Sequence, residues 1–166
     1  MKKEYLYSPW RIDYILSPKS DGCIFCDKPI AGDDATHLIV HRSKHCYVIL
    51  NLYPYNNGHV MVVPYLHSSS LSALPEAVLN DLFATVALTE KVISNLMKSD
   101  GMNIGINLGK AAGAGIDEHV HVHVVPRWIG DANFMSAAGG MRVIPEPFEN
   151  TYAKLTQAFE QEETGK

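Results

Sequence analysis

The segment His119–Val125, with sequence HVHVHVV, constrains the fold of this chain more than any other. Strict alternation of polar and β-branched residues predicts a half-buried β-strand. Successive side chains on a strand point to opposite faces, so the valines face the core and the three imidazoles stand about 6.6 Å apart in one row. We therefore expect a sheet face lined by groups that titrate near neutral pH.

The rest of the chain predicts an α+β fold in a single domain. Its 166 residues, of which 46% are hydrophobic, are enough to bury one core. Apolar periodicity and turn residues predict a five-stranded antiparallel sheet with a long helix packed on it. The predicted strands are 37–42, 45–52, 58–64, 103–108 and 119–125, and the predicted helices are 8–15, a long one from Pro75 to a stop at Gly101, and 148–162. We take 1–166 as one domain, with a core at about 20–130, an N-terminal helix and a C-terminal extension.

Charge and cysteine usage narrow the classes of partner. A net charge of −4 gives no electrostatic footprint for polymeric nucleic acid. The sequence contains neither a secretion signal nor an apolar run long enough to cross a bilayer, so we expect a cytoplasmic protein without a membrane partner. Three cysteines, two of them spaced as Cys23-x-x-Cys26, favour a metal site or free thiols over a disulfide framework, and Cys46 is expected to be buried.

The histidine row suggests chemistry on phosphorus. A neutral imidazole can attack phosphorus and form a bond that is readily broken again, which divides one difficult displacement into two easier ones. The preceding loop 109–115, with sequence GKAAGAG, lets backbone N–H groups approach a phosphate closely. Two alternatives stay open at this point. The loop is also typical of a plain connector, and two histidines at alternate strand positions can chelate a metal ion.

Longer motifs make the chain similar to the histidine-triad (HIT) superfamily of nucleotide hydrolases and transferases. The run 119–125 matches His-x-His-x-His followed by two apolar residues, and NLYPYNNGHVMVVP at 51–64 resembles the strand-turn-strand element of this superfamily. SPWRIDYI at 8–15 and VPRWIGDANF at 125–134 resemble its bacterial diadenosine-tetraphosphate phosphorylase branch, which is ATP adenylyltransferase-like. The resemblance covers about residues 8–145 and implies a HIT-like fold that forms a homodimer.

The resemblance also implies roles for individual residues. His121 is the expected nucleophile that takes up a nucleoside monophosphate, His123 contacts the phosphate being transferred, and His59 orients the triad, to which His119 also belongs. Residues expected to bind nucleotide and phosphate are Asn51 at the ribose, then Asn107, Gly109, Gly113 and Gly115 in the loop. Gly115 departs from the pattern, because many relatives carry a hydroxyl residue there that assists the leaving phosphate. Lys110 is a candidate source of compensating charge.

A structural zinc ion is implied by the same resemblance. In zinc-bearing members of the superfamily two cysteines are completed by a histidine after the GHVMVVP strand and by the first histidine of the triad. Here those ligands are Cys23, Cys26, His67 and His119. Four protein ligands close the coordination sphere, so we expect the zinc to support structure and no organic cofactor to be needed.

The expected substrate is a dinucleoside polyphosphate, with diadenosine tetraphosphate favoured. Inorganic phosphate as second acceptor gives ADP and ATP, and water gives AMP and ATP. Alternatives are a hydrolase of dinucleoside polyphosphates or nucleoside phosphoramidates, a nucleotide-binding sensor, and a zinc-centred adaptor whose triad is incidental.

Several polar and aromatic residues have no role that the sequence assigns. Beyond the triad, Arg127, Asp131 and Asn133 are polar candidates, while Trp128 and Phe134 either stack on a nucleobase or pack in the core. Three further histidines, expected at the surface or at sheet edges, are His37, His41 and His45.

Overall fold

The computed structural model describes residues 22–131 and 146–165, which form an antiparallel sheet covered by helices. Its strand order is β1-β2-β3-β5-β4. The strands are β1 (Ile39–Arg42), β2 (Cys46–Leu50), β3 (Val60–Pro64), β4 (Gly101–Ile106) and β5 (Val122–Arg127), and the helices are α1 (Ile24–Ile30), α2 (Asp34–His37), α3 (Glu76–Met97) and α4 (Phe148–Thr164). The expected α+β class, five-stranded antiparallel sheet and long helix are confirmed. In the described ranges no helix has both the length and the apolarity to cross a membrane.

Helices cover both faces of the sheet. Leu82 and Ile93 of α3, together with Leu155 and Phe159 of α4, pack on one face, and Phe25 of α1 packs on the other. The central strands β2 and β3 are therefore buried at every residue. This explains why their sequences, CYVIL and VMVVP, are continuous apolar runs rather than alternating ones.

Three predicted boundaries are wrong for local reasons. The long helix ends at Met97, because Lys98 adopts the left-handed conformation with φ 50°, while Gly101 begins β4. His37, predicted in a strand, ends α2 instead, which Asp33 caps by accepting a hydrogen bond from the Thr36 N–H. The strand predicted over 119–125 begins only at Val122, where pairing with its neighbours begins.

His41 lies on the edge strand β1, a position that agrees with the sequence-based expectation, but α4 buries its side chain. Its side chain is only 6% exposed, stacks on Phe159 with ring centroids 4.8 Å apart, and has Nδ1 3.5 Å from a Glu163 carboxylate oxygen. Both partners belong to α4, more than 100 residues further along the chain, so no local pattern indicates this contact. Cys46 is buried as predicted.

The sheet register places the histidine strand between two unlike neighbours. His123 lies opposite Met61 on β3 and opposite Gly105 on β4. The β2–β3 loop, residues 51–59, ends at His59 immediately before β3. Because β3 pairs with β5, this loop comes to lie beside the histidine run.

Residues 1–21, 132–145 and 166 lie outside the described residues. The predicted helix 8–15 falls there, as do Asn133 and Phe134. Their predicted roles remain predictions, and so does the assignment of 1–166 to one domain.

Gly58 allows the β2–β3 loop to close against the end of α3. Its φ is +73°, and a Cβ built at this position overlaps the Met97 thioether. Gly32 has a similar φ of +76°, but a Cβ there meets no described atom within 4 Å. We expect Gly58→Ala to lower the free energy of unfolding by about 2 kcal/mol, since the end of the Met97 side chain must also move, and Gly32→Ala by about 1 kcal/mol, measured by urea unfolding. Equal losses would contradict a steric role for the Met97 contact.

Candidate functional site

The histidine run is buried on both of its faces. Val122 and Val124 enter the core beneath α3, as predicted, but His119 is 0% exposed and His121 is 4% exposed. Phe25 of α1 covers the imidazoles, with ring centroids 5.6 Å from His119 and 4.9 Å from His121. The expectation of a half-buried strand is therefore wrong, since a helix from a distant part of the chain covers the face that the alternation assigned to solvent.

Backbone contacts determine which nitrogen of His121 carries its proton. The His121 Nδ1 atom lies 2.8 Å from the carbonyl oxygen of His119. A carbonyl only accepts, so Nδ1 is the protonated nitrogen and Nε2 keeps its lone pair. Burial lowers the pKa of His121 below the usual histidine value, although the bond to the His119 carbonyl opposes this shift. The ring is therefore neutral at pH 7, with Nε2 available as a nucleophile.

His59 and His123 are hydrogen-bonded to each other, and both carry the hydrogen on Nε2, unlike His121. The Tyr55 backbone N–H donates to His59 Nδ1 at 3.0 Å, so His59 carries its hydrogen on Nε2. That Nε2 lies 3.0 Å from His123 Nδ1 and donates to it. His123 consequently carries its own hydrogen on Nε2. Burial, with a smaller contribution from His121, lowers the pKa of His123 to about 4, so this ring is neutral as well.

Asn51 lies beside this pair at the start of the β2–β3 loop. Its Oδ1 accepts from the Tyr53 N–H at 2.9 Å, and its Nδ2 is 3.4 Å from His59 Nε2. The Tyr55 ring stacks on His59 with centroids 4.8 Å apart. The structure thus places Asn51 beside His59, His59 beside His123, and His123 beside His121, while the roles assigned to them remain predictions.

The glycine-rich loop follows β4 and turns sharply. Gly109 (φ +77°) and Gly113 (φ +85°) flank a short 3-10 turn at Lys110–Ala112, so both require the freedom of glycine. Gly115 differs, because its φ is not in the left-handed range; a Cβ built there also meets no described atom within 4 Å, so a hydroxyl side chain would fit. Lys110 is exposed, and its Nζ lies 3.9 Å from an Asp117 carboxylate oxygen.

An open pocket of about 710 Å³ separates this loop from the segment after β3. Its lining residues are His67, Ser68, Ser69, Gly109, Asp117 and Glu118. Asn107, just after β4, is half-buried. The phosphate-binding role of the loop, including Asn107, stays a prediction.

Four metal-ligating side chains converge at one end of the histidine run. His119 Nδ1 lies 3.3 Å from Cys23 Sγ and 3.6 Å from Cys26 Sγ, and Cys26 Sγ lies 3.4 Å from His67 Nδ1. All four ligand atoms are within 4.8 Å of one another. The cysteine spacing places both thiols on one helical turn, since Cys23 is the N-cap residue of α1. This cluster could bind a metal ion.

The fit of this cluster to a metal also depends on the tautomer of His119. The His119 Nε2 atom lies 2.9 Å from the Pro64 carbonyl and must donate to it. The lone pair therefore resides on Nδ1, which faces both thiols. Burial, followed by the neighbouring Cys23 thiol, raises the pKa of Cys26 to about 11, and a bound cation is the usual means of stabilising the thiolate in such a site.

Sequence reasoning missed three contributors to this site. Phe25 is an apolar residue between the two cysteines, and its direction is clear only once α1 lies on the sheet. The N–H of Tyr55 and the carbonyl of Pro64 act through backbone atoms, which leave no signal in residue type.

Comparison with known proteins identifies relatives of this architecture. The HIT domain family profile matches residues 33–128. An AP-4-A phosphorylase from Mycobacterium tuberculosis is 42% identical over 155 residues, covering 88% of this chain and 79% of the relative. A bis(5'-nucleosyl)-tetraphosphatase [asymmetrical] from Schizosaccharomyces pombe is 37% identical over 89 residues, covering 54% of this chain and 48% of the relative.

Solved structures agree with the sequence matches. A Zn-bound histidine triad family protein from Mycobacterium smegmatis superposes with a TM-score of 0.64 at 30% identity, covering 87% of this chain and 98% of that one. A hypothetical histidine triad nucleotide-binding protein from Sulfolobus tokodaii gives a TM-score of 0.69 at 27% identity, covering 84% and 93%. With the family profile matching more than half of its length, this chain belongs to the HIT family.

Proposed function

We propose that this HIT-family enzyme cleaves dinucleoside polyphosphates, diadenosine tetraphosphate in particular, through a nucleotidyl-histidine formed on His121. The observation that carries this proposal is the hydrogen bond from His121 Nδ1 to the His119 carbonyl, because it leaves an unprotonated Nε2 on a neutral ring. The relatives named as AP-4-A phosphorylase and bis(5'-nucleosyl)-tetraphosphatase support the substrate class.

In the first step, His121 Nε2 attacks the phosphorus that carries adenosine. An N–P bond forms, the P–O bond to the leaving nucleoside triphosphate breaks, and the ring of His121 becomes positively charged. Its Nδ1–H already donates to the His119 carbonyl, so the positive charge develops next to an oriented acceptor. The Nε2–H of His123, oriented through His59, donates to an oxygen of the transferring phosphate.

In the second step, an acceptor displaces His121 and restores the neutral ring. Inorganic phosphate gives ADP, so the net reaction converts diadenosine tetraphosphate and phosphate into ADP and ATP. Water gives AMP and ATP instead. We favour phosphorolysis, because the relative with 42% identity is named a phosphorylase. Hydrolysis is the second candidate, supported by the tetraphosphatase relative at lower coverage.

Nucleotide binding in this proposal uses the residues expected from the sequence. Asn51 contacts the ribose, and backbone N–H groups at Asn107, Gly109, Gly113 and Gly115 hold phosphate oxygens. The positive φ of Gly109 and Gly113 supports this role, because it lets successive N–H groups turn toward one anion.

The proposal also includes the oligomeric state of the protein and its cellular compartment. We expect a homodimer, and strand β4 supports this because it lies at the sheet edge with Ile104 45% exposed. We also place the protein in the cytoplasm, since free thiols at Cys23 and Cys26 are maintained in a reducing compartment.

The metal that we propose for the cysteine-histidine cluster is zinc. With zinc bond lengths, a tetrahedral site requires S···N distances of about 3.6 Å, close to the 3.3–3.6 Å found here. When bound, zinc supplies a structural cross-link with four protein ligands. The ligands connect α1, the segment after β3 and the segment before β5, so they hold Phe25 over the histidines.

Product analysis tests the reaction. Incubation with diadenosine tetraphosphate is expected to yield ADP and ATP only when inorganic phosphate is present. His121→Asn should lower kcat by about 10³-fold or more while nucleotide binding persists, because it removes only the attacking atom. His37→Asn serves as control, since that residue ends α2 outside the site.

Three results would count against this assignment. If AMP and ATP form both with and without inorganic phosphate, the protein is a hydrolase. If the His121→Asn variant keeps its turnover, His121 is not the nucleophile. Nucleotide binding by the parent without any products would instead support a sensor.

Metal analysis tests the zinc site. Cys23→Ser is expected to lose the one zinc ion per chain that the parent carries and to lower the free energy of unfolding by several kcal/mol. Cys46→Ala is the matched control, because this third cysteine is buried in the core away from the cluster. Elemental analysis and urea unfolding provide the two readouts. Full zinc occupancy in Cys23→Ser would argue against the assigned ligands.

Acid should destabilise the fold in a defined pH range. An unfolded histidine takes up a proton near pH 6.5, whereas His123 in the folded protein does so only at about 4. The unfolded state therefore binds more protons between these values, and the free energy of unfolding falls as pH decreases from about 6.5 to 4. Replacing His123 with Asn should reduce this slope by up to about one proton, measured by urea unfolding across the range. An unchanged slope would show that His123 is charged in the folded protein.

A further inference from the structure

Asn56 connects the β2–β3 loop to the end of β5. Its Nδ2 donates to an Asp131 carboxylate oxygen at 2.9 Å and to the Pro126 carbonyl at 3.1 Å. Its own carbonyl accepts from the His59 N–H at 3.2 Å. Asn56 thus lies between Tyr55, whose N–H orients the His59 ring, and His59 itself. Contacts that hold Asn56 therefore restrain the backbone next to the residue that carries this N–H.

Asp131 is surrounded by donors. One carboxylate oxygen accepts from Arg127 Nε at 2.6 Å, from Asn56 Nδ2 at 2.9 Å and from the Trp128 N–H at 3.2 Å, and the other accepts from Arg127 Nη2 at 2.7 Å. The side chain is 13% exposed, so solvent replaces these partners poorly. Only a group that accepts at both oxygens satisfies this arrangement, because an amide would present its own donor to one of them.

The side chain of Arg127, which ends β5, is anchored to the neighbouring strand β4. Its Nη1 donates to Asn103 Oδ1 on β4 at 2.6 Å. The Arg127–Asp131 ion pair is therefore held by the sheet, and it presents a carboxylate oxygen to the β2–β3 loop in a defined position. This rigidity distinguishes it from an isolated surface ion pair, whose contribution is small.

We propose that Asp131 is a positioning residue of the catalytic site, which holds Asn56 and thereby fixes the Tyr55 N–H that orients His59 and His123. The role of His123 in turnover rests on the proposed function. The geometric relay from Asp131 to His123 does not, since it consists of contacts within the chain.

A second contact to the same loop is weaker. Thr151 Oγ1 lies 3.4 Å from Asn57 Oδ1 but 3.1 Å from a Glu146 carboxylate oxygen. A hydroxyl has a single hydrogen, and the shorter contact to the carboxylate takes it. The Asn57 side chain also hydrogen-bonds the Glu146 carboxylate, but Asn56 is the residue that adjoins Tyr55, so we assign the positioning role to Asp131.

The experiment compares Asp131→Asn and Asn56→Ala with their double variant in the zinc-loaded full chain. Glu162→Gln is the control, because it removes a carboxylate from an ion pair with Lys91 that joins α4 to α3. The first readout is the long-range ¹H–¹⁵N spectrum of the histidine rings without substrate, which reports tautomers. The second is kcat and KM for diadenosine tetraphosphate.

We expect both single variants to mix the tautomers of His59 and His123 and to lower kcat by about 10- to 100-fold, the usual effect of a small misplacement of a catalytic group. The double variant should be no worse than either single variant, because all act through one contact. Glu162→Gln should match the parent. If Asp131→Asn does not fold, Asn56→Ala provides the test, since it removes the hydrogen bonds of Asn56 Nδ2 to Asp131 and to the Pro126 carbonyl and leaves the Arg127–Asp131 ion pair intact.

Tautomers that stay unmixed in both variants would overturn the proposal, even where stability falls, because that result assigns Asp131 a structural role only. Additive effects in the double variant would also overturn it. If the parent cleaves no dinucleotide, the proposed function fails, but the substrate-free spectra still test the positioning.

Discussion

Burial of several imidazoles side by side is the constraint on which this structure depends. A buried imidazole must be neutral, and a neutral ring has one donor and one acceptor that both need partners. The backbone supplies the deciding partner for three of these rings. The Pro64 carbonyl accepts from His119 Nε2 and the His119 carbonyl accepts from His121 Nδ1, whereas the Tyr55 N–H donates to His59 Nδ1 and leaves the His59 hydrogen on Nε2, from which it is donated to His123. Main-chain geometry therefore selects the tautomers, and the tautomers determine where each lone pair points.

His119 connects the metal cluster to the candidate nucleophile within a single residue. Its ring contributes Nδ1 to the cluster, while its carbonyl receives the His121 Nδ1–H. Any change at the cluster that moves the His119 backbone therefore also moves the carbonyl that holds the His121 hydrogen. The proposed metal site and the proposed nucleophile thus share one residue.

The sequence predicted much of the fold and the four residues of the metal-ligating cluster. The apolar runs of β2 and β3 and the periodicity of α3 were sufficient for the sheet and its helix, and the resemblance placed His67 and His119 with the two cysteines, which the structure brings together. It could not predict that Phe25 covers the histidines or that α4 buries His41, because both contacts join segments far apart in sequence. Nor could the sequence show which of the polar candidates Arg127, Asp131 and Asn133 contacts the site. The proposed positioning role of Asp131 depends on four hydrogen-bond donors, which converge only when β5 and the β2–β3 loop have folded against each other.

The pairing of His123 with Gly105 has a consequence for access. On an antiparallel pair, residues opposite one another share a face, and their side chains normally stand in contact. Gly105 has no side chain, is exposed, and belongs to the edge strand β4, whereas Met61 fills the corresponding position on the β3 side. Among the described residues, Gly105 therefore leaves the β4 side of the His123 ring uncovered, whereas Met61 lies on its β3 side. A larger residue at position 105 would cover that side of the ring and narrow the access to it.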